Sequence, residues 1–266
     1  MIIRLFITVL ILSMTAPASA RSARVGMPDG RLMERERPNK EGFVASATGL
    51  SPRFPDGVAC EGISSPYGSP TRFDGSRRPY DVNGGTHGGM DITLVEGESL
   101  LAIADGEVIN KGSGGQMEGH YVWLRFPPSA TGLPLWTFAK YQHLKEPAVL
   151  EMGAQVRKGD VVGLGGQSGT QGGHYGVNGY AHLHLSTFYA DTADYTILGR
   201  TQNMVKAASG VSGDPMILYA ANVRTTADVV SYAAPAQPIS VAVKLNNGGM
   251  HGAEGKLLWP VGCRTK

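Results

Sequence analysis

Seven histidines stand at positions 87, 120, 143, 174, 182, 184 and 251, and their neighbours sort them. His87-Gly88-Gly89-Met90-Asp91 sets an imidazole and a carboxylate four residues apart across two glycines. Glycine permits the backbone angles with which such a loop folds back, so both groups can converge on one ion. Asp91 also opens the run Asp91-Ile92-Thr93-Leu94-Val95, which puts it at a strand edge. His182-Leu183-His184-Leu185 follows the two-residue period of a strand, with both imidazoles on one side and both leucines on the other. Two histidines on one strand face are a start for a zinc site; the alternative is two surface histidines on a half-exposed strand. His143, in Tyr141-Gln142-His143-Leu144, follows an aromatic strand and by itself reads as a structural histidine. Metal binding is the chemistry this spacing offers. His120 after a glycine-rich turn and His174 ahead of the 182–184 pair read as exposed loop histidines, and His251 lies in the tail.

The elements that must hold these groups are short. Glycine makes up 37 of 266 residues, roughly twice the usual ~7%, and charged residues make up 17%, below the usual ~25%. That composition argues against a coiled coil or helical bundle and favours strands joined by turns. Residues 99–112 read as two strands about an Asp105-Gly106 turn. Residues 120–126, 135–144 and 181–189 alternate as strands, and a turn at Lys158-Gly159-Asp160 precedes another. Helix signals come late: Asp214-Pro215 fits an N-cap followed by Pro at N1, and residues 225–234 suit a second short helix. The fold class expected is mainly β, an antiparallel sheet or sandwich with few short helices.

A net charge of +2 removes a strongly basic nucleic-acid binder as the default. Residues 1–20 carry Arg4, an apolar run over 5–12, then Pro17, Ala18, Ser19 and Ala20. A positive start, a short apolar stretch and an A-x-A site describe a secretory signal peptide; a membrane span needs about 20 apolar residues. The expected location is therefore the periplasm or exterior of a bacterium, with no membrane association after cleavage. That compartment tolerates disulfides, and Cys60 and Cys263 are the pair available to clip the tail onto the body, the alternative being two free thiols. The organisation expected is a signal peptide (1–20), an N-terminal arm or linker (21–60), a domain holding the chemistry (61–190) and a C-terminal extension (191–266).

The clusters in order, H-x-x-x-D, Y-x-H-L and H-x-H, resemble the M23 (lysostaphin- or LytM-type) family of zinc metallopeptidases. The resemblance runs over residues 63–186. Ile63-Ser64-Ser65-Pro66-Tyr67-Gly68 is similar to the family's I-T-S-x-F-G, and His87-Gly88-Gly89-Met90-Asp91-Ile92 to its H-x-G-x-D-I. Ala104-Asp105-Gly106-Glu107-Val108 resembles A-x-x-G-x-V, Val156-Arg157-Lys158-Gly159-Asp160 resembles V-x-K-G-D, and residues 163–169 resemble its glycine-rich segment. The resemblance implies a LytM-type (duplicated hybrid motif-like) fold with an open substrate groove. It implies one Zn2+ per chain on His87, Asp91 and His184, with His143 and His182 as the non-ligand catalytic histidines. Three protein ligands leave a fourth position for water, as in catalytic zinc sites. The implied activity is hydrolysis of peptide stems or cross-links of bacterial peptidoglycan, with a regulatory protein partner left open. The alternatives are a non-catalytic LytM-type activator of other wall hydrolases and a secreted peptidase on a non-wall peptide. Departures are few: Gln142 stands where the family often has alanine, and Leu185-Ser186 replaces its Phe-Glu, neither at a ligand position. Asn83 is a candidate for the asparagine some members place near the metal. Residues 68–86 are rich in Arg and Gly and suit a loop at the cleft rim, and Tyr141 and Tyr180 either line the cleft or pack in the core or at the rim.

Overall fold

Alternating runs of β-branched, aromatic and small residues form strands wherever one face can be buried. In a computed structural model of the chain they do so repeatedly. The structure describes residues 25–26, 32–33, 45–80, 83–170, 179–198, 203–220, 222–232, 238–252 and 257–266. The signal-peptide segment 1–20 and His174 lie outside the described residues. The chain divides into residues 1–36, where Val25–Gly26 pairs antiparallel with Leu32–Met33, and residues 37–266.

The main sheet has eight strands: β1 (Ile63–Ser65), β2 (Met90–Thr93), β3 (Gly106–Ser113), β4 (His120–Phe126), β5 (Trp136–Leu144), β6 (Gln155–Val156), β7 (His182–Ala190) and β8 (Val211–Gly213). Their spatial order is β6-β3-β4-β5-β7-β2-β1, and β8 pairs with the far half of β7. Every pairing is antiparallel. The fold is mainly β, as expected, and the helices described are short: α1 (Pro128–Thr131), α2 (Thr226–Val230) and two 3-10 turns.

The two-residue period divides the sheet into two faces. Met90, Ile92, Val122, Leu124, Ala139, Tyr141, Leu183 and Leu185 face the main core. Tyr121, Trp123 and Phe138 face the other way and are covered by Val205 and Ala207. Each large apolar side chain removed from water contributes about 1.5–3 kcal/mol. The main core is closed by a second layer, the ladder of Ser99–Leu101 with Val161–Leu164, together with the C-terminal residues Val243, Trp259 and Val261. The backbones of Leu100 and Val261 bridge directly.

The stretch 51–60 is tied to the end of the chain. Ser51–Arg53 runs parallel to Pro238–Ser240, and Val58–Ala59 pairs with Arg264–Thr265. Trp259 Nε1 donates to Glu61 O at 3.0 Å. Cys60 and Cys263 form a disulfide.

Three local expectations change. The strands either side of Asp105-Gly106 do not pair with each other: Ser99–Leu101 joins Val161–Leu164, and β3 joins β4. Gly106 is itself a strand residue, where a Cβ would lie 2.5 Å from the Phe126 ring. The helix after Asp214 is a single 3-10 segment, Pro215–Tyr219, with the Asp214 side chain accepting from Met216 N as the cap. All five of its residues are buried, so core packing rather than helical periodicity sets its form. His120 is the first residue of β4 rather than a loop residue, with Nδ1 2.7 Å from Ser113 Oγ. Thr225 and Asp228 form a reciprocal capping box on α2, matching the second helix read from the sequence.

The disulfide closes a loop with a sequence separation of 203. Loop-closure entropy for that length is on the order of 5 kcal/mol, and measured losses for native bridges are about 2–5 kcal/mol. Reducing the bond, or Cys263→Ser, is expected to lower the unfolding free energy by that amount in a urea melt; an unchanged midpoint would show that the tail is held by packing alone.

Candidate metal centre

β2 and β7 pair so that Asp91 lies opposite His184 and Thr93 opposite His182. Directly opposed residues have Cβ atoms about 4.5–5.5 Å apart, within reach of a carboxylate and an imidazole. The contact is made: His184 Nδ1 is 2.8 Å from Asp91 Oδ1. His87 comes from the loop before β2, and its Nε2 lies 3.1 Å from the same Oδ1 and 3.0 Å from His184 Nδ1. The intervening glycine is needed at 89, because a Cβ there would sit 2.7 Å from His184 Nε2 and 2.6 Å from Leu185 O. Three donor atoms from His87, Asp91 and His184 thus face one point.

His143 arrives by a different device. The β4–β5 register shifts between Gln142 and Leu144, making His143 the extra residue of a β-bulge, with φ at 64°. In unbroken alternation it would join Tyr141 on the core face. The bulge instead brings its ring to 4.5 Å from that of His182 and 6.1 Å from that of His184, centroid to centroid. A left-handed backbone at a non-glycine residue costs roughly 1–3 kcal/mol and persists when its surroundings over-determine it. Here Nδ1 of His143 donates to Ser168 O at 2.8 Å. His182 is held likewise: its Nδ1 donates to Tyr180 O at 3.1 Å, and Tyr180 stacks on it at 4.1 Å. All five residues singled out in the sequence meet at this one place.

Donor chemistry tests whether the cluster suits a cation. His87 Nδ1 is 3.2 Å from Ser65 O and 3.1 Å from Pro66 O, so it carries the ring proton and leaves Nε2 as a lone pair. His184 Nε2 lies 2.9 Å from Ser186 Oγ, which accepts its N–H when Nδ1 serves as the lone pair. Two lone pairs and a carboxylate oxygen then face one another at 2.8–3.1 Å. Four-coordinate zinc with bonds of about 2.0–2.1 Å separates its ligand atoms by roughly 3.3 Å. Two imidazoles and one carboxylate suit this borderline metal, and their outer hydrogen bonds are those that orient such ligands. The residues fit zinc.

Charge supports the same arrangement. Burial acts to raise the Asp91 pKa, yet the charge and hydrogen bonds of His87 and His184 hold it well below the usual range. The Arg78 guanidinium is 3.5 Å from Asp91 Oδ2 and donates to Ser65 Oγ at 2.8 Å. Burial lowers His143 well below an ordinary histidine, with His182 and His184 adding to the effect. Burial lowers His182 as well, against the pull of Asp91, and lowers His184 to about 4. The imidazoles of His143, His182 and His184 are therefore neutral at pH 7, the form that ligates metal and accepts protons.

A cleft of about 140 Å³ opens onto His87 and His184, walled by Arg72, Arg78, Asn83, Met117 and Gln142. Arg72, Arg78 and Asn83 of the 68–86 stretch thus stand at the rim. Asn83 borders the cleft, although its backbone stands at φ 49°. Tyr141 is wholly buried, donating to Leu101 O, and does not line the cleft. Arg78, Ser65, Ser168 and Ser186, to which the sequence assigns no site role, hold the site's side chains in place. The one available signal was Ser186, a small hydroxyl two positions after His184 and so on the same strand face.

Residues 85–194 match the model of peptidase family M23. Among solved structures, the chain is similar to the catalytic domain of the antimicrobial peptidase lysostaphin from Staphylococcus simulans. That match has 22% identity, covers 44% of this chain and 77% of that one, and has a TM-score of 0.34. It is also similar to a putative glycyl-glycine endopeptidase LytM from Ruminococcus gnavus, at 24% identity over 68% of this chain and 63% of that one, TM-score 0.38. A zinc-containing peptidase from Vibrio cholerae matches at 19% identity over 64% of this chain and 44% of that one, TM-score 0.36.

Ser186→Ala is expected to weaken zinc affinity by about 10-fold or more, the usual cost of losing an outer-shell partner, measured by competition with a chromogenic chelator. Unchanged affinity would remove Ser186 from the site. For the metal-free protein the pH dependence has a definite sign. Unfolded histidines take up protons near 6.5, while folded His184 resists down to about 4. Stability is then complete above about pH 6.5 and is lost as pH falls towards 4. Thermal melts in chelator should show a falling Tm across that window; a flat Tm would contradict the buried, neutral assignment.

Proposed function

We propose that the chain is an exported zinc metalloendopeptidase that hydrolyses peptide stems or cross-links of bacterial peptidoglycan. The observation that carries this reading is the convergence of His87, Asp91 and His184 on one point, with His143 and His182 beside them. Bound zinc would supply a Lewis acid that polarises a peptide carbonyl and lowers the pKa of a coordinated water from 15.7 to about 7.

The chain's own residues do the rest. His87 Nε2, Asp91 Oδ1 and His184 Nδ1 hold the ion, and Arg78, Ser65 and Ser186 keep those donors aimed. His143 and His182 each commit Nδ1–H to a carbonyl, so each presents Nε2 as the proton acceptor. Kept neutral by burial, one ring takes the proton of the attacking water and passes it to the leaving amine. The other stays neutral, and its Nε2 accepts a hydrogen bond from the attacking water and orients it. Four of the five groups, Asp91, His143, His182 and His184, stand on strands of the main sheet.

The match of residues 85–194 to the model of peptidase family M23 supports the peptidase class. Export is supported by the charged start, short apolar run and A-x-A site of residues 1–20. The Cys60–Cys263 bridge agrees with an oxidising compartment.

The test is digestion of purified peptidoglycan sacculi by the mature protein, with and without a zinc chelator, with released muropeptides identified by mass spectrometry. Chelator-sensitive loss of cross-linked dimers is expected. His143→Ala and His182→Ala should keep zinc and lose roughly 10²–10⁴ of turnover, and His184→Ala should lose both. Full turnover in His143→Ala would remove its assigned role. Neither cleavage nor zinc in the wild-type protein would overturn the enzyme reading in favour of a non-catalytic activator of other wall hydrolases.

A further inference from the structure

A second cleft lies on the same face of β5 as the metal centre, at the strand's other end. Trp136 opens β5 and Gln142 closes on the metal site, six residues later on the same side of the pleat. At about 3.4 Å per residue the two are roughly 20 Å apart. Phe138, capped by Val205 and Ala207, fills the interval, so the two clefts are separate.

This cleft has a volume of about 390 Å³, within the ~300–1,000 Å³ of small-ligand sites. Its aromatic wall is the half-buried indole of Trp136. The Arg125 guanidinium stacks 5.4 Å from that ring's centroid and 5.5 Å from that of Tyr195, fixing the indole. Arg125 is itself held by Glu107, Nη2 to Oε2 at 2.7 Å, and donates to Ala193 O at 3.0 Å. Around the indole stand Asp105, Gln155 and Arg157, all exposed.

The composition selects a ligand class. Two arginines face two carboxylates, so the cleft is balanced in charge and suits neither a phosphate nor an acidic peptide. A rigid aromatic face is negative at its centre, and the weakly positive C–H face of a pyranose ring packs on it. Planar carboxylate, carboxamide and guanidinium groups at the edge can each meet a pair of neighbouring hydroxyls with two hydrogen bonds. A neutral, polyhydroxylated ring is the ligand that uses all of these at once.

We propose that the Trp136 cleft binds the glycan strand of the wall polymer whose peptides reach the metal centre. The ligand identity rests on the peptidoglycan reading above; the cleft's chemistry does not. Bound there, the strand holds the enzyme on its polymer while a stem about 20 Å away enters the metal site.

The chain has three tryptophans, and Trp123 and Trp259 are buried, so a ligand in this cleft acts on the fluorescence of Trp136. The experiment titrates the mature protein with a peptide-free oligomer of N-acetylglucosamine, with an acidic peptide and inorganic phosphate in parallel. A saturable fluorescence change is expected with the glycan alone. Trp136→Ala should abolish glycan binding by calorimetry, and Gln155→Ala, an exposed change that spares the fold, should weaken it at least 3-fold. No saturable response, equal binding by both variants, or displacement of the glycan by the acidic peptide would overturn the proposal. Binding does not require turnover. Glycan binding mapped to Trp136 without cleavage of sacculi would leave the cleft standing and remove the peptidase reading; cleavage with no glycan response would do the reverse.

Discussion

The register between β2 and β7 is the constraint on which the site depends. Pairing Asp91 with His184, and Thr93 with His182, puts the carboxylate and both strand imidazoles on one face. The same pairing sends Met90, Ile92, Leu183 and Leu185 into the main core. A slip of one residue would expose those four apolar side chains and bury the charged ones, so core packing and site geometry enforce the same alignment. The metal donors are thus positioned by hydrophobic burial, which is large, rather than by their mutual contacts, which are between like-minded lone pairs and need a cation between them.

Around that alignment the chain concentrates unfavourable features that only a function explains. A non-glycine bulge turns His143 out of the core side, and three imidazoles, His143 and His182 buried and His184 partly so, stand where their protonation is opposed. Backbone carbonyls of Ser65, Pro66, Ser168 and Tyr180 take up the Nδ1 protons and so fix which nitrogen of His87, His143 and His182 faces inward. Glycine at 89 lets the loop pass against His184. The second layer, clipped by Cys60–Cys263, closes the opposite side of the sheet and leaves this face for the site.

Much of this was legible in the residues. Alternation placed β4, β5 and β7 within one residue of their observed ends, and the H-L-H spacing put His182 and His184 on a common face. What escaped was what depends on long-range pairing. The Asp105-Gly106 turn looked like a hairpin because local turn chemistry does not say which sheet each strand will join. The bulge at His143 has no local signal, since the same residues would continue a regular strand. Arg78 and Ser65 lie in segments whose composition says loop and edge strand, and only the folded sheet brings them to Asp91. Alternation alone does not say which face of β5 meets the core; pairing with β4 and β7 puts Tyr141 there with Ala139.

The most direct measurement is zinc-edge X-ray absorption on the full chain loaded with one equivalent of zinc. The account predicts one tightly held zinc per chain with the scattering of two imidazoles, falling to one in His87→Ala. Zinc bound with no imidazole scattering, or two-imidazole zinc unchanged in both His87→Ala and His184→Ala, would contradict it.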